Sequence, residues 1–204
     1  MNIGKLYIIS APSGAGKTSL VKQLVADLND LSVSISHTTR QMRPGETHGQ
    51  DYYFVSVADF KTMQEQRAFL EHAQVFDNFY GTAQQTVEEN VNRGLDVILE
   101  IDWQGAEQIK KKLPDSLSIF ILPPSTEVLL QRLRNRGQDD ENIISRRMRD
   151  AVTEIRHLDE FDYLVVNDVF AEALTELKSI IIANRLTRQR QIHNLKPLLA
   201  SLLS

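Results

Sequence analysis

The sequence predicts an α/β fold in which a parallel sheet is flanked by helices on both faces. Four short and nearly continuous apolar runs, at 6–10, 97–101, 118–122 and 163–166, have the character of strands buried on both sides. Helical patterns separate most of these runs, and a glycine-rich segment directly follows the first one. Strands and helices that alternate in this way are typical of parallel sheets with crossover helices.

Helices are expected at regular places between these strands. The first follows the glycine-rich segment over 17–28, with Leu20, Leu24 and Leu28 on one face. Further helices are expected at 104–112, 127–136, 143–158 and from about Phe170 onwards. The chain contains no internal repeat, so a single parallel core accounts for most of its length.

Two segments depart from this alternation. The stretch 32–94 is polar and rich in aromatic residues, which predicts a small mixed α/β insertion. Its aromatic residues include Tyr52, Tyr53, Phe54, Phe69, Phe76, Phe79 and Tyr80. The stretch 132–149 carries arginines on both sides of Gly137 and an acidic cluster. A charged run is usually a solvated helix face, but arginines beside a phosphate site favour phosphate contacts.

Length and composition limit the kinds of protein and partner that this chain is expected to represent. A chain of 204 residues fits one domain with insertions, and 42% hydrophobic with 25% charged residues is ordinary globular composition. The net charge of −4 favours no nucleic-acid or membrane-surface partner, since such proteins are usually basic. The absence of cysteine excludes disulfides and thiolate chemistry. No apolar run approaches the roughly 20 residues of a membrane span, so we expect a cytoplasmic protein.

The glycine-rich segment predicts a phosphate-binding loop. Its residues are Ala11, Pro12, Ser13, Gly14, Ala15, Gly16, Lys17 and Thr18. Between a strand and a helix, such a loop directs backbone N–H groups and a helix N-terminus at a phosphate. We expect Lys17 to reach the β and γ phosphates of ATP and the Thr18 hydroxyl to coordinate Mg²⁺. Ala11 replaces the first glycine of the usual pattern. The loop predicts a P-loop NTPase core.

A pair of carboxylates ends the second apolar strand. Glu100 and Asp102 are two residues apart, so on a strand both side chains point to the same face near its carboxyl end. Ligands of open α/β sheets bind at this edge. Either acid alone could simply cap the following helix, whereas two on one face favour a metal or ligand role.

Several further blocks resemble the guanylate kinase family. They are 34–46 (SISHTTRQMRPGE), 49–54 (GQDYYF), 69–73 (FLEHA), 79–82 (FYGT), 101–105 (IDWQG) and 165–168 (VVND). Order and spacing agree from about residue 5 to about residue 190. The resemblance implies an ATP:GMP phosphotransferase with ATP and GMP as its partners and Mg²⁺ as its cofactor. It further implies a core at 1–32, 95–130 and 151–204, a GMP-binding subdomain at 33–94 and a helical lid at 131–150.

The resemblance also implies a role for individual residues. The phosphate of GMP is expected to contact Arg40, Arg43, Tyr52 and Tyr80, and the guanine is expected to contact Ser36, Glu71, Gly81, Thr82 and Asp102. The ATP phosphates are expected to contact Arg136 and Arg147, with Arg132 as a further candidate, while Asn167 lies near the adenine. Lys17, Arg40, Arg43, Arg136 and Arg147 are the expected catalytic residues. Glu100 stands where the family usually has aspartate, and it is a candidate for water-mediated contact with the metal.

The chemistry of Glu71 fits this assignment independently. A carboxylate only accepts hydrogen bonds, and guanine presents N1–H and a 2-amino group side by side. Adenine has an acceptor at N1 and no 2-amino group, so a buried Glu71 would face it unpaired, which rejects a wrong substrate by ~10⁴-fold or more. A hydroxyl from Ser36 or Thr82 can donate to guanine O6.

Two other functions compete with this reading. Guanylate-kinase-like domains of scaffold proteins bind phosphorylated partners without catalysis, but Lys17 and the arginines favour an enzyme. A related kinase for another phosphorylated small molecule would not need Ser36, Glu71 and Thr82.

The C-terminal segment places Leu195, Leu198, Leu199, Leu202 and Leu203 on one helical stripe. This stripe predicts a terminal helix docked on its own domain or, alternatively, a contact in a homo-oligomer.

Overall fold

The computed structural model describes residues 4–75, 77–135 and 140–204. In chain order the strands are β1 (Leu6–Ser10), β2 (Leu31–Val33), β3 (His37–Thr38), β4 (Tyr53–Phe54), β5 (Phe69–Val75), β6 (Asn78–Ala83), β7 (Asp96–Glu100), β8 (Leu117–Leu122) and β9 (Tyr163–Val166). The helices are α1 (Lys17–Asp27), α2 (Val57–Glu65), α3 (Gln84–Asn92), α4 (Trp103–Lys112), α5 (Thr126–Asn135), α6 (Glu141–Ile155), α7 (Phe170–Arg185), α8 (Arg188–Asn194) and α9 (Lys196–Leu202).

The main sheet has the order β2-β7-β1-β8-β9, and all of its neighbouring strands are parallel. Ile9 of β1 pairs with Glu100 of β7, so the end of the first strand lies beside the acidic end of the second. The predicted α/β class, with a parallel sheet flanked by helices, is confirmed. Carboxyl ends of parallel strands meet at one edge, which is where a ligand site is expected.

The two faces of this sheet bury separate apolar clusters. Tyr7 and Ile9 of β1 pack toward α1 and α7, where Leu24 is one of the buried helical residues. Leu6 and Ile8 point to the opposite face, which α3 and α4 cover. Side chains of a strand alternate between faces, so a strand that is apolar at every position needs a helical layer on each side.

A second sheet with the order β4-β3-β6-β5 lies within the stretch expected to be an insertion. β3 and β5 both pair antiparallel to β6, while β3 pairs parallel to β4. α2 adds Phe60, whose ring stacks on Phe69 with centroids 4.6 Å apart. This sheet holds two of the expected site blocks, at 69–73 and 79–82, on adjacent strands.

Helices α5 and α6 form a small cluster of their own, built from Leu129, Leu133, Ile144 and Ala151. Asp140 caps α6 by accepting hydrogen bonds from the backbone N–H groups of the first turn. The predicted catalytic and ATP-binding residue Arg136 lies outside the described residues.

The C-terminal stripe does not dock as one helix. α8 and α9 are separate short helices that meet at Leu195, and the expected stripe is largely exposed. Leu198, Leu202 and Leu203 are 53%, 70% and 85% exposed. The expectation of a docked terminal helix is therefore wrong, because α9 finds no apolar surface of the described chain to cover it.

A buried ion network ties the start of this C-terminal segment to the sheet. Asp96, 1% exposed at the amino end of β7, accepts hydrogen bonds from the Lys5 backbone N–H at 2.7 Å, Arg185 Nε at 2.8 Å and an Arg190 guanidinium nitrogen at 2.7 Å. These contacts lie at the opposite end of β7 from Glu100.

None of the helices in the described ranges combines the length and apolarity that crossing a bilayer requires.

Candidate active site

The glycine-rich loop leaves the amino end of α1 open. Gly16 is the N-cap residue with a φ of 93°, so the cap position has no side chain that could accept a hydrogen bond from the first turn of α1. A Cβ at Gly16 would lie 2.3 Å from Asn167 Nδ2 in addition to the unfavourable φ, so only glycine fits there. The uncapped N–H groups and the helix dipole together make an anion-binding end.

Asn167 and Arg132 support this loop from the side of β9 and α5. Asn167 is buried, and its Nδ2 donates to the Ala15 carbonyl at 2.7 Å. Arg132 donates through one guanidinium nitrogen to the Asn167 carbonyl at 2.9 Å. The other terminal nitrogen of Arg132 is buried and has no hydrogen-bond partner among the described residues. A guanidinium that keeps one buried nitrogen available beside a phosphate loop is a candidate contact for a nucleotide phosphate.

Glu100 reaches the first turn of α1. The Thr18 hydroxyl donates to Glu100 Oε2 at 3.3 Å, so the lone pairs of the hydroxyl oxygen remain for another partner. Hydroxyl and carboxylate oxygens are the hard donors that Mg²⁺ prefers, and Mg²⁺ usually keeps waters and substrate phosphates as its other ligands. In the part of the chain that the structure describes, no group of three or more His, Cys, Asp or Glu side chains could hold a metal ion. Thr18 and Glu100 therefore fit a metal held mainly by a nucleotide.

Arg40 is fixed by contacts on three sides. Its guanidinium donates to Glu46 Oε1 at 2.7 Å and to the Gln41 carbonyl at 2.7 Å, and it lies over the Tyr52 ring at 5.5 Å from the centroid. The second oxygen of Glu46 accepts the Arg43 backbone N–H at 2.8 Å. Glu46 thus links the side chain of Arg40 to the backbone of Arg43. Burial alone would raise the pKa of Glu46, but the hydrogen bonds from Arg40 and Arg43 outweigh it, and the pKa is lowered.

Two tyrosines stand beside this arginine. The rings of Tyr52 and Tyr80 meet edge to face with centroids 6.0 Å apart. Burial, with Glu100 and Tyr80 nearby, raises the pKa of Tyr52 to about 12, so its hydroxyl stays protonated and available as a donor. Arg40, Tyr52 and Tyr80 form a group of donors suited to an anion.

Glu71 is the most deeply buried acid of the site. It is 3% exposed, and its Oε1 accepts the Thr82 hydroxyl at 2.5 Å. Burial is the main cause that raises the pKa of Glu71 to about 7, with the Thr82 hydrogen bond opposing the rise and the nearby Asp102 adding to it. The Ser36 hydroxyl lies 3.5 Å from that of Thr82. A Cβ at Gly105 would come within 2.5 Å of Glu71 Oε2, so the glycine makes room for the carboxyl group.

Asp102 lies just beyond β7 rather than within it. It is the N-cap of α4, and its Oδ1 accepts the Gly105 backbone N–H at 2.9 Å while Oδ2 accepts Gln104 Nε2 at 3.0 Å. Both oxygens of Asp102 already accept a hydrogen bond, so a ligand contact would have to use a remaining lone pair of one of them. The strand ends at Glu100, so the two acids do not share a strand face as expected.

The last turns of α6 bring further charges to the phosphate loop. Arg147 is partly buried on this helix. Burial is the chief cause that raises the pKa of Glu154 to about 7, while the Lys17 ammonium and the Ser13 backbone N–H lower it. Asp150 adds a like charge from one turn earlier.

Three residues of the site were missed by the sequence reasoning, namely Glu46, Asp150 and Glu154. Glu46 closes a quoted motif, so its position was visible, but its contact with Arg40 depends on the loop fold. Acidic residues on a charged helix usually indicate a face exposed to solvent. The four-residue spacing of Asp150 and Glu154 was the one sequence feature that indicated a shared helix face.

The structure brings the predicted residues into two groups at the carboxyl edge of the main sheet. The loop with Lys17, Thr18, Arg132 and Asn167 forms one, and the second sheet supplies the other, with Ser36, Arg40, Glu71 and Thr82. Two anion sites with a deep carboxylate are chemically suited to hold two phosphorylated molecules and a base with adjacent donors.

Comparisons with known proteins agree with this geometry. A family model described as guanylate kinase matches residues 3–184. A guanylate kinase of Saccharophagus degradans is 58% identical over 201 residues, covering 98% of each chain. One of Methylococcus capsulatus is 57% identical over 203 residues, covering 100% of each chain. The crystal structure of guanylate kinase from Anaplasma phagocytophilum superposes with a TM-score of 0.78 at 33% identity, over 93% of this chain and 90% of that chain.

Proposed function

The chain belongs to the guanylate kinase family, and we propose that it transfers the γ-phosphoryl group of ATP to GMP with the residues of the site described above. The observation that carries this assignment is Glu71, a deeply buried carboxylate with the Thr82 hydroxyl on one oxygen. Burying a charge is unfavourable unless a partner repays it. Guanine offers that partner, because its N1–H and 2-amino donors match the two oxygens of one carboxylate.

The two hydroxyl groups beside Glu71 have different roles. Since the Thr82 proton is donated to Glu71, we assign the contact with guanine O6 to Ser36. Asp102 and Gly81 complete the base pocket from α4 and β6. Arg40, Arg43, Tyr52 and Tyr80 bind the GMP phosphate, and Glu46 orients the guanidinium of Arg40 and holds the backbone of Arg43.

The ATP phosphates occupy the loop of α1. The loop residues are Ala11, Pro12, Ser13, Gly14, Ala15, Gly16, Lys17 and Thr18, and the further cations are Arg132, Arg136 and Arg147. The buried, unpartnered nitrogen of Arg132 supports its part in this set. Asn167 acts on ATP through the loop, because its amide is hydrogen-bonded to the Ala15 carbonyl.

Transfer requires placement and positive charge rather than a general base. The attacking group is an oxygen of the GMP phosphate, whose second pKa of ~6 leaves it ionised near pH 7. Lys17, Arg40, Arg43, Arg136 and Arg147 offset the repulsion between the two phosphates and hold them in line. Thr18, with Glu100 behind it, would hold Mg²⁺, which supplies charge neutralisation at the phosphates.

Subdomain boundaries follow from the same assignment. We assign GMP binding to 33–94, where the second sheet lies, and lid function to 131–150, with the parallel core at 1–32, 95–130 and 151–204. The cytoplasmic location expected from the sequence stays a prediction.

A comparison of GMP with inosine monophosphate tests the role of Glu71. The inosine nucleotide keeps N1–H but lacks the 2-amino group, so it loses one of the two charge-assisted hydrogen bonds. We expect kcat/KM about 10- to 100-fold below that for GMP in the wild type. In Glu71→Gln the two nucleotides should differ by less than about threefold. An undiminished preference for GMP in that variant would remove Glu71 from base recognition.

The exposed leucines at the C-terminus support a homo-oligomer. The last 28 residues, 177–204, contain Lys178, Arg185, Arg188, Arg190 and Lys196 and no aspartate or glutamate. The whole chain has a net charge of −4 and its last 28 residues carry +5, so residues 1–176 carry −9. Because Lys178 pairs with Asp27, and Arg185 and Arg190 pair with Asp96, within the same chain, the exposed leucines rather than this charge form the surface that a second copy would cover. Truncation before Leu195 should lower the mass measured by light scattering, and an unchanged mass would contradict this assembly.

A further inference from the structure

One face of α4 contacts the backbone of β5 through its side chains. β5 is the outer strand of the second sheet, in the order β4-β3-β6-β5, so one of its edges has no neighbouring strand in the described part of the chain. Backbone N–H and C=O groups at such an edge need other partners. Three residues of α4 that are four positions apart supply them, namely Gln104, Gln108 and Lys112.

Gln108 makes the central contact and replaces a residue of a missing strand. Its Nε2 donates to the His72 carbonyl at 2.8 Å, and its Oε1 accepts a hydrogen bond from the His72 backbone N–H at 3.2 Å. One side-chain amide therefore satisfies both polar groups of one strand residue, as a residue on a neighbouring strand does. This pair of hydrogen bonds fixes the position of β5 along α4 as well as its distance from the helix.

The two outer contacts repeat this arrangement on either side. Gln104 Nε2 lies 3.5 Å from the Gln74 carbonyl oxygen, and Lys112 Nζ donates to the Leu70 carbonyl at 2.5 Å. Four residues of a helix rise about 6 Å, and two residues of a strand rise about 6.7 Å, so the contacts keep step along both elements. The three side chains form a ladder (Gln104, Gln108 and Lys112) in which α4 runs antiparallel to β5.

The ladder lies next to the two acids of the proposed guanine pocket. Glu71 is on β5 between two of the residues that the ladder contacts, and a Cβ on Gly105 of α4 would come within 2.5 Å of its Oε2. At the amino end of α4, Gln104 Nε2 also donates to Asp102 Oδ2 at 3.0 Å. The ladder therefore joins the strand that carries Glu71 to the helix that Asp102 caps.

We propose that this ladder positions Glu71 for guanine recognition by fixing the register of β5 on α4. This inference rests on the proposed function, because it concerns the residue assigned to read the base. The carboxylate must meet N1–H and the 2-amino group together, so a small shift of the strand weakens both hydrogen bonds. A displacement of about 1 Å can lower a rate about 100-fold. The ladder residues act through Glu71 and are positioning residues.

The test removes the central contact with Gln108→Met in the full chain. Methionine keeps the length of the side chain and lacks the amide that pairs with β5. We expect kcat/KM for GMP to fall about tenfold, mainly through a higher KM, while KM for ATP stays within about twofold of wild type. The preference for GMP over inosine monophosphate should fall at least about threefold, since a misplaced carboxylate no longer meets both donors together.

Two controls separate positioning from a loss of stability. Tyr7→Phe removes the 3.0 Å hydrogen bond between the Tyr7 hydroxyl and Asn184 Oδ1, which lies at the amino end of the main sheet. This variant should lower the urea midpoint and leave the preference for GMP unchanged. Lys111→Met removes an exposed lysine of α4 that pairs with Glu107 on the same helix, and it should behave like wild type.

An outer contact gives a second arm in which one variant keeps a donor. Lys112→Met loses the hydrogen bond to the Leu70 carbonyl, whereas Lys112→Arg retains a cationic donor. At pH 9, where Glu71 with its pKa of about 7 is ionised, Lys112→Met should lower kcat/KM for GMP about threefold and Lys112→Arg should restore it. If Gln108→Met does not fold, this pair decides, and equal values in the two variants would overturn the ladder.

The outcomes distinguish the ladder from the proposed function. A wild type without preference for GMP over inosine monophosphate, or Glu71→Gln with the full preference, would overturn the base-reading role of Glu71 and the ladder with it. A preference that Glu71→Gln abolishes and folded Gln108→Met retains, with an unchanged KM for GMP, would overturn the ladder alone. A decrease no larger than that in Tyr7→Phe would also overturn it, because the contact would then act on stability only.

Discussion

Glutamine at position 71 should make the nucleotide-free protein more stable while it weakens guanine recognition. The carboxyl group of Glu71 is 3% exposed, and burial is the main cause that raises its pKa from 4.5 to about 7. The folded chain therefore favours the protonated group, and the ionised form is unfavourable until guanine binds. Glutamine retains an acceptor for the Thr82 hydroxyl but has no charge to bury.

The magnitude follows from these two pKa values. A pKa raised in the folded state contributes stability that is fully present below about pH 4.5 and is lost as the pH rises through about 7. At about 1.4 kcal/mol for each pH unit, the wild type loses about 3 kcal/mol from this group across that window. Glu71→Gln lacks this loss, so it should exceed the wild type by about 3 kcal/mol at pH 8 and by less than about 1 kcal/mol at pH 5.

Urea unfolding of both proteins without nucleotide, at pH 5 and pH 8, measures this difference. Comparison at each pH cancels the contribution of other titrating groups, such as Glu154. Glu65→Gln, an exposed acid in the same part of the chain, should show no change between the two pH values. An equal difference between wild type and Glu71→Gln at both pH values, or a variant less stable at pH 8, would refute the assignment of a buried, ionising carboxyl.

Two more predictions follow from the same structure. GMP needs the ionised form of Glu71, so its affinity should rise about tenfold from pH 6 to pH 8 and level off above, and a flat calorimetric profile would argue against the carboxylate contact. Asp96→Ala should lower the free energy of unfolding by about 3–5 kcal/mol, because Arg185 and Arg190 lose their buried partner. The same variant should keep the preference for GMP, since Asp96 lies at the far end of β7, and a changed preference would show coupling to the site.

The fold was predictable where the pattern of the chain is local and repeated. The strand at 6–10 is apolar at each position before its terminal serine, and Leu20 and Leu24 keep helical spacing, so β1 and α1 lie where expected. The helix expected at 143–158 begins earlier because Asp140 caps it, and it ends at Ile155.

The predicted site depended on motifs, and its contacts depended on the fold. The spacing of Gly16 and Lys17 is enough to predict a phosphate loop. The hydrogen bond from Asn167 to the Ala15 carbonyl, in contrast, joins residues 152 positions apart. Such a contact leaves no local signal in one sequence. The terminal leucines gave a wrong prediction of a docked helix. Their helical spacing shows that one face is apolar, but it does not show what covers that face.

The most direct measurement is ADP formation from Mg-ATP with GMP, AMP, CMP or UMP as the acceptor, with Lys17→Ala as the blank. Lys17→Ala should retain its fold, as judged by circular dichroism, and lose turnover with every acceptor. Wild-type turnover with GMP at least about 10⁴-fold above that with AMP is the expected result. Comparable turnover with several acceptors would contradict the guanine pocket around Glu71, and no turnover with any of them would contradict the phosphotransferase itself.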